Sequence, residues 1–267
     1  MKLTRTVAET REALEAARDA GERIGLVPTM GAFHEGHLSL IRAARAESER
    51  AVVSLFVNPT QFGSGEDLDR YPRDEARDAA VAEAEGVELL FAPSAAEIYP
   101  PGFDTWIEVG ELGEILEGAA RPGHFRGVAT VCCKLFEVIQ PALAYFGRKD
   151  AQQVAVVKQV VRDLALPLEI RAMPTVRDGG GLALSSRNRY LSAVDREEAL
   201  KLPLALAAGV KAYRDGRDAV SVACELLKGI DVDYVTIADL DGPTLAAAVR
   251  IGSVRLIDNL RLEEEAT

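Results

Sequence analysis

Only three histidines, three cysteines and one tryptophan occur in the chain's 267 residues, and aromatic side chains make up 6% of it. Each scarcity excludes something. Three cysteines, two of them adjacent at Cys132 and Cys133, make neither a disulfide framework nor a CxxC metal pair, and they read as buried, reduced thiols. Long apolar runs are also missing: the stretch over 51–57, broken by Ser54, falls far short of the roughly 20 residues that cross a bilayer. Residues 1–20 are charged and helical in pattern, with no apolar signal-peptide centre. The expectation is a soluble cytoplasmic protein. Basic charge is scarce too. With 31 Lys and Arg against 42 Asp and Glu, the net charge of −11 argues against a nucleic-acid or membrane-surface partner, both of which select a basic face. A bound polyanion must then be met by a local cluster of Arg, Lys, His and backbone amides. Neither GxGxxG nor a Walker lysine loop is present.

What the chain does have is concentrated. Two of the three histidines stand in His34-Glu35-Gly36-His37, after the apolar run Leu26-Val27-Pro28-Thr29-Met30-Gly31-Ala32-Phe33 and before Leu38-Ser39-Leu40-Ile41. Strand, glycine turn, two imidazoles and then a helical pattern place both rings at a helix N-terminus, where N–H groups and the dipole favour anions. A zinc-protease helix would need histidines four apart, and position 38 is Leu. The third histidine, His124, lies in Arg121-Pro122-Gly123-His124-Phe125-Arg126-Gly127.

Composition bounds the architecture. At 48% apolar and 27% charged, the chain is globular, with one large core or two unequal ones. Strand patterns over 24–27, 51–57, 87–91, 142–146 and 168–173 alternate with helix patterns over 36–48, 73–85, 125–139 and 151–164. Such alternation predicts an α/β fold, a doubly wound parallel sheet with helices on both faces and ligands beyond the strands' carboxyl ends. The pattern changes near Arg177. Asp178-Gly179-Gly180-Gly181 reads as a flexible break, followed by a basic, hydroxyl-rich segment, one long helix over 193–214, a shorter one over 220–228, and strands over 234–238 and 254–257. This predicts a small α+β domain on a glycine hinge, ending in the solvated acidic stretch 263–265.

Each chemical candidate has a plainer alternative. Asn58 and Gln61 serve either as turn formers or as ligand amides for hydroxyls or a carboxylate. Lys149-Asp150 is either an exposed ion pair or, beside Gly147 and before Gln152-Gln153, a phosphate contact through Lys149 and a ribose contact through Asp150. Ser185-Ser186-Arg187 is an ordinary loop or a movable segment suited to an anionic transition state.

Five motifs in order resemble one family. Pro28-Thr29-Met30-Gly31-x-x-His34-x-Gly36-His37, Phe56-Val57-Asn58-Pro59-x-Gln61-Phe62, Arg121-Pro122-Gly123-His124-Phe125-Arg126-Gly127-Val128, Phe146-Gly147-x-Lys149-Asp150-x-Gln152-Gln153 and Leu184-Ser185-Ser186-Arg187-Asn188-x-Tyr190-Leu191 are similar to pantothenate synthetases, the pantoate–beta-alanine ligases. The match runs from about 20 to 195, with a weaker echo at Arg255-Leu256-Ile257-Asp258-Asn259. The resemblance implies a Rossmann-like catalytic domain over 1–176, a C-terminal lid over 177–267, and a homodimer. It implies ATP with Mg2+, pantoate activated as pantoyl adenylate, pyrophosphate released, and attack by the beta-alanine amine to give pantothenate and AMP. ATP contacts carry over to Met30, Gly31, Ala32, Phe33, His34, Glu35, Gly36 and His37. They carry over likewise to Gly147, Arg148, Lys149 and Asp150, to Val176, and to Leu184, Ser185, Ser186 and Arg187. Pantoate contacts fall to Gln61 and Gln153, with Asn58 beside them. His37 is the proton donor, and His34, Lys149, Arg187, Ser185 and Ser186 complete the catalytic set. Magnesium rides on the triphosphate, with no protein ligand assigned.

The same HxGH pair would also serve a nucleotidyltransferase acting on another small acid or phosphate substrate. A metal hydrolase built on His34, His37 and His124, or a non-catalytic ATP sensor, are rivals of other classes.

Overall fold

In the computed structural model, which describes residues 1–63 and 65–263, the chain packs as two units. One comprises Met1–Gly147 and Gln153–Met173, the other Arg148–Gln152 and the stretch from Pro174 onward.

Six strands carry the first unit: β1 (Lys2–Thr4), β2 (Ile24–Thr29), β3 (Arg50–Leu55), β4 (Leu89–Phe91), β5 (Leu143–Gly147) and β6 (Glu169–Met173). Its helices are α1 (Val7–Asp19), α2 (Glu35–Glu47), α3 (Glu75–Ala84), the short α4 (Ala95–Ile98) and α5 (Glu117–Ala120), α6 (His124–Ile139) and α7 (Ala151–Asp163), which starts in the 148–152 segment. Every strand pairing is parallel, in the order β1-β4-β3-β2-β5-β6. The winding reverses between β2 and β5, so the topological switch point lies there.

Alternation along each strand feeds two cores. Ile24, Leu26, Val52 and Phe146 pack with α1, α6 and α7 on one face, while Val27, Val53 and Tyr145 pack with α2 and α3 on the other. Full burial of each such aliphatic side chain stabilises by roughly 1.5–3 kcal/mol, which is why a near-continuous apolar run here is a strand covered on both faces. Cys132 lies fully inside the first core, and burial pushes its thiol up to about 12. The helical reading of residues 1–20 holds only from Val7. Before it, Lys2–Thr4 pairs with Leu89–Phe91, and Thr6 caps α1 in a reciprocal box with Glu9. Three residues at a sheet edge carry no period of their own.

The second unit consists of α8 (Ala193–Ala199), α9 (Lys201–Arg214) and α10 (Ala219–Leu226) with an antiparallel sheet β7 (Asp231–Asp239), β8 (Pro243–Ile251) and β9 (Val254–Arg261). Leu202, Leu206, Leu245 and Val249 anchor its separate core. Three expectations are corrected here. The helix over 193–214 is two helices meeting at Leu200, because Pro203, in the first turn of α9, has no N–H to give to the preceding turn. β8, the middle strand, was not expected: its Thr-Leu-Ala-Ala-Ala-Val run has weak strand preference and is a strand because β7 and β9 flank it. The Asp178–Gly181 break is a closed hairpin turn. The Asp178 side chain accepts the N–H groups of Gly180 and Leu182 at 2.9 and 3.0 Å, and Arg177 bridges Ala183. The boundary also differs, since residues 148–152 and 174–176 pack with the second unit. Of the acidic end, Glu264 and Glu265 lie outside the described residues.

Candidate active site

β2 lies between β3 and β5, and all three end on the same edge of the first unit's sheet. That edge carries His34 and His37 after β2, Asn58 and Gln61 after β3, and Gly147 at the end of β5.

Leaving β2, the chain passes Met30 and turns through Gly31 (φ +86°) and Ala32 (φ +54°). A Cβ on Gly31 would stand 2.8 Å from both Asp78 Oδ2 and Leu55 Cδ1, so glycine is required on two counts. Asp78, buried on α3, accepts the N–H of Ala32 at 2.7 Å and of Phe33 at 3.0 Å. The Ala32 and Phe33 side chains are buried, and their N–H groups are given to Asp78.

The histidine pair comes next. His34 caps α2, its Nδ1 accepting the Gly36 N–H at 3.2 Å, while the His34 N–H donates to His37 Nδ1 at 3.3 Å. Backbone amides can only donate, so in the neutral rings both Nδ1 atoms are acceptors and each proton sits on Nε2. The rings lie 4.1 Å apart, centroid to centroid, at the positive end of the α2 dipole. Two Nε2–H donors at a helix N-terminus suit a polyphosphate. Glu35, first in the helix, is exposed and paired with Arg42.

After β3 the arrangement differs from expectation at one residue. Asn58 is buried, and its amide is filled by the protein. Nδ2 donates to Gln61 Oε1 and to the Gly127 carbonyl, both at 3.1 Å, and Oδ1 accepts from the Tyr99 hydroxyl at 2.8 Å and the Thr60 hydroxyl at 2.9 Å. Asn58 thus holds Gln61 Oε1 while its own amide is bonded within the protein. With Oε1 taken, Gln61 has its Nε2 hydrogens left to give, and these match a carboxylate or hydroxyl oxygen. Gln153, near the start of α7, is half-buried.

The remaining candidates belong to the second unit. Arg148, Lys149 and Asp150 form a tight turn after β5, and Lys149 Nζ lies 3.2 Å from Asp150 Oδ1. The turn is held from β9: Asn259 Nδ2 donates to the Arg148 and Lys149 carbonyls, each at 2.9 Å. Asp258 beside it is fully buried, receives Arg177 at 2.6 and 3.0 Å, and accepts the Asn259 N–H. Arg177 belongs to the 176–184 hairpin, across which the Leu184 N–H meets the Val176 carbonyl at 2.9 Å. Ser185 then caps the turn Ser186–Tyr190, accepting the Arg187 N–H at 3.3 Å. One buried aspartate and its neighbour thus hold both nucleotide-loop candidates of this unit.

His124 is occupied on both ring nitrogens, by the Gln61 carbonyl at 2.8 Å and Arg121 Nη1 at 3.1 Å. Among the described residues no group of three or more His, Cys, Asp or Glu side chains is placed to hold a metal ion, so the three-histidine hydrolase has no support here. Sequence reasoning missed Asp78, Tyr99 and Asn259 as hydrogen-bond partners of the candidate residues. Only Asn259 carried a signal, the echo at 255–259, and Asp78 sits in an Ala-Glu-rich helix where an aspartate reads as solvated.

The sequence profile of the pantoate-beta-alanine ligase family matches residues 2–261. A pantothenate synthetase of Roseiflexus castenholzii is 51% identical, over 98% of this chain and all of that one, and pantothenate synthetase 1 of Bradyrhizobium diazoefficiens is likewise 51% identical over 98% of each. Among solved structures, the pantothenate synthetase of Thermus thermophilus superposes with a TM-score of 0.93 at 46% identity, covering 98% of this chain and 99% of that one. The pantoate-beta-alanine ligase of Francisella tularensis, complexed with beta-gamma ATP and beta-alanine, gives 0.84 at 36% identity over 99% of each.

Proposed function

The chain belongs to the pantoate-beta-alanine ligase family, and from that premise we propose which of its residues carry the reaction. The enzyme is a C–N ligase. It condenses pantoate with beta-alanine at the expense of ATP through pantoyl adenylate, releasing pyrophosphate and AMP.

The observation that carries the assignment is the histidine pair, whose Nδ1 atoms both accept backbone N–H groups, so that each neutral ring keeps its proton on Nε2 at the start of α2. In the first step the pantoate carboxylate attacks the α-phosphorus of ATP, the α–β bridging P–O bond breaks, and charge builds on the departing pyrophosphate. His34 and His37 stabilise that charge, with His37 the proton donor. In the second step the beta-alanine amine attacks the pantoyl carbonyl, AMP leaves, and the amine proton passes to solvent.

Gln61, oriented by Asn58, and Gln153 hold pantoate through neutral amides, which bind its oxygens without trapping the nucleophile in a tight ion pair. The second unit acts as the lid: Lys149 and Arg187 meet the phosphates, Asp150 the ribose, Val176 the base, and Ser185 and Ser186 add hydroxyl donors. The donor set suits a triphosphate, and Mg2+ would arrive on its oxygens and neutralise them. The active form is a cytoplasmic homodimer.

Product analysis tests the reading. AMP and pyrophosphate should appear in equal amounts with pantothenate only when ATP, Mg2+, pantoate and beta-alanine are all present. Nucleotide cleavage that ignores the acid or stops without the amine would sink it. Amide exchange over 178–190 should slow when ATP and pantoate bind together, and unchanged exchange would remove the lid.

A further inference from the structure

The third histidine has no part in these steps, yet it is one of the most constrained side chains of the first unit. Arg121, His124 and Gly127 are three apart, and all three meet the Thr60–Gln61 stretch. The Gln61 carbonyl can only accept, so His124 carries its proton on Nδ1 and donates at 2.8 Å. Its Nε2 is then a lone-pair acceptor, which receives Arg121 Nη1–H at 3.1 Å. Arg121 also donates from Nη2 to the same carbonyl at 3.2 Å, and Glu66 fixes its guanidinium with two hydrogen bonds of 2.6 and 2.8 Å. Gly127 lets α6 approach: a Cβ there would stand 2.5 Å from the Thr60 carbonyl oxygen and 2.7 Å from the Gln61 nitrogen. From the other side Asn58 holds Gln61 Oε1 at 3.1 Å.

We propose that His124, locked as its Nδ1–H tautomer between Arg121 and the Gln61 carbonyl, is a positioning residue for the acid substrate, acting through Gln61. The proposal rests on the reading of Gln61 as a pantoate contact. A histidine suits the place for a specific reason. It must donate with one atom and accept with another across a rigid ring, and it must do so without charge, because a cation here would face the Arg121 guanidinium. Burial, and then the Arg121 charge, lower its pKa to about 4, so the ring is neutral at physiological pH. The backbone carbonyl is held at two donors, and the side-chain amide of the same residue is held at its oxygen. A glutamine fixed at both ends aims its Nε2 hydrogens along one direction, which lowers the ordering cost of binding.

Steady-state kinetics on His124→Ala, His124→Asn, Gln61→Ala and the double variant Gln61→Ala/His124→Ala test this, varying pantoate and ATP separately. His124→Ala should raise the KM for pantoate about ten- to a hundredfold, the scale of an unsatisfied buried partner, and leave the KM for ATP within about twofold. His124→Asn, which keeps an N–H donor near the Nδ1 position, should recover most of the loss. In the Gln61→Ala background the His124 change should add nothing. Equal shifts in both KM values, no rescue by Asn, or a full additional factor in the double variant would each overturn the proposal. An unchanged pantoate KM in Gln61→Ala would instead remove the premise. If His124→Ala does not fold, Glu66→Gln, which loosens Arg121, should raise the pantoate KM alone, and an unchanged value would overturn the proposal equally.

Discussion

The carboxylate of Asp78 accepts the N–H of Ala32 at 2.7 Å, joining α3 to the turn that leads into the histidine pair. With its second bond, from Phe33 at 3.0 Å, it fixes where α2 begins. Asp78→Ala leaves two buried amides unsatisfied, at about 1–3 kcal/mol each. Asp78→Asn retains one acceptor oxygen. Urea unfolding should rank the parent above Asn and Asn above Ala, and activity should follow the same order. An Ala variant as stable and active as the parent would show that the contact is idle.

His37→Ala should lower pantoate-dependent ATP–pyrophosphate exchange by roughly two to four orders of magnitude, the usual effect of losing a positioned acid or oxyanion donor. Helix content by circular dichroism should not change, because the His37 side chain is an acceptor at the first turn of α2 and the rest of the helix keeps its own bonds. Near-normal exchange would remove His37 from the chemistry.

Asn259→Ala frees the carbonyls of Arg148 and Lys149, which it holds at 2.9 Å. The expected result is a KM for ATP raised about five- to thirtyfold, corresponding to one or two lost hydrogen bonds. Asn259→Asp should do worse, since a carboxylate repels two carbonyl oxygens that the amide attracted. An Asp variant better than Ala would contradict this account of the turn.

His124 makes stability depend on pH. Its folded pKa of about 4 lies below the ordinary 6.5, so the unfolded chain binds the extra proton between these values. The contribution is fully present above pH 6.5 and is lost as pH falls towards 4, to an extent of about 3 kcal/mol. Denaturant midpoints at pH 7 and pH 5 should therefore differ by less in His124→Asn than in the parent. Equal differences would mean that the buried imidazole is not the source.

Helix and strand patterns between residues 24 and 173 were legible because each strand is covered on both faces and each helix on one, so period and burial coincide. The histidine pair was legible for a related reason. A turn, a cap and a helix start are local, and Gly31, His34, Gly36 and His37 fall within seven residues. Interactions made across the chain were not legible. Nothing in residues 73–85 marks Asp78 as the partner of Ala32, 46 positions earlier, and the Asn-Pro after β3 reads as a turn or ligand site until Tyr99, Gly127 and Gln61 are found to fill its amide.

The sequence by itself determined the family, the parallel sheet and the candidate groups for ATP and pantoate, since these depend on residue type and short spacing. Only the tertiary structure decided which polar groups are spent inside the protein. The amides of Ala32 and Phe33 are taken by Asp78, the Asn58 side chain by Gly127 and Tyr99 as well as the nearby Gln61, and the His124 ring by the Gln61 carbonyl as well as the nearby Arg121. A buried polar atom must find a partner, and which one it finds is set by packing between segments far apart in the chain.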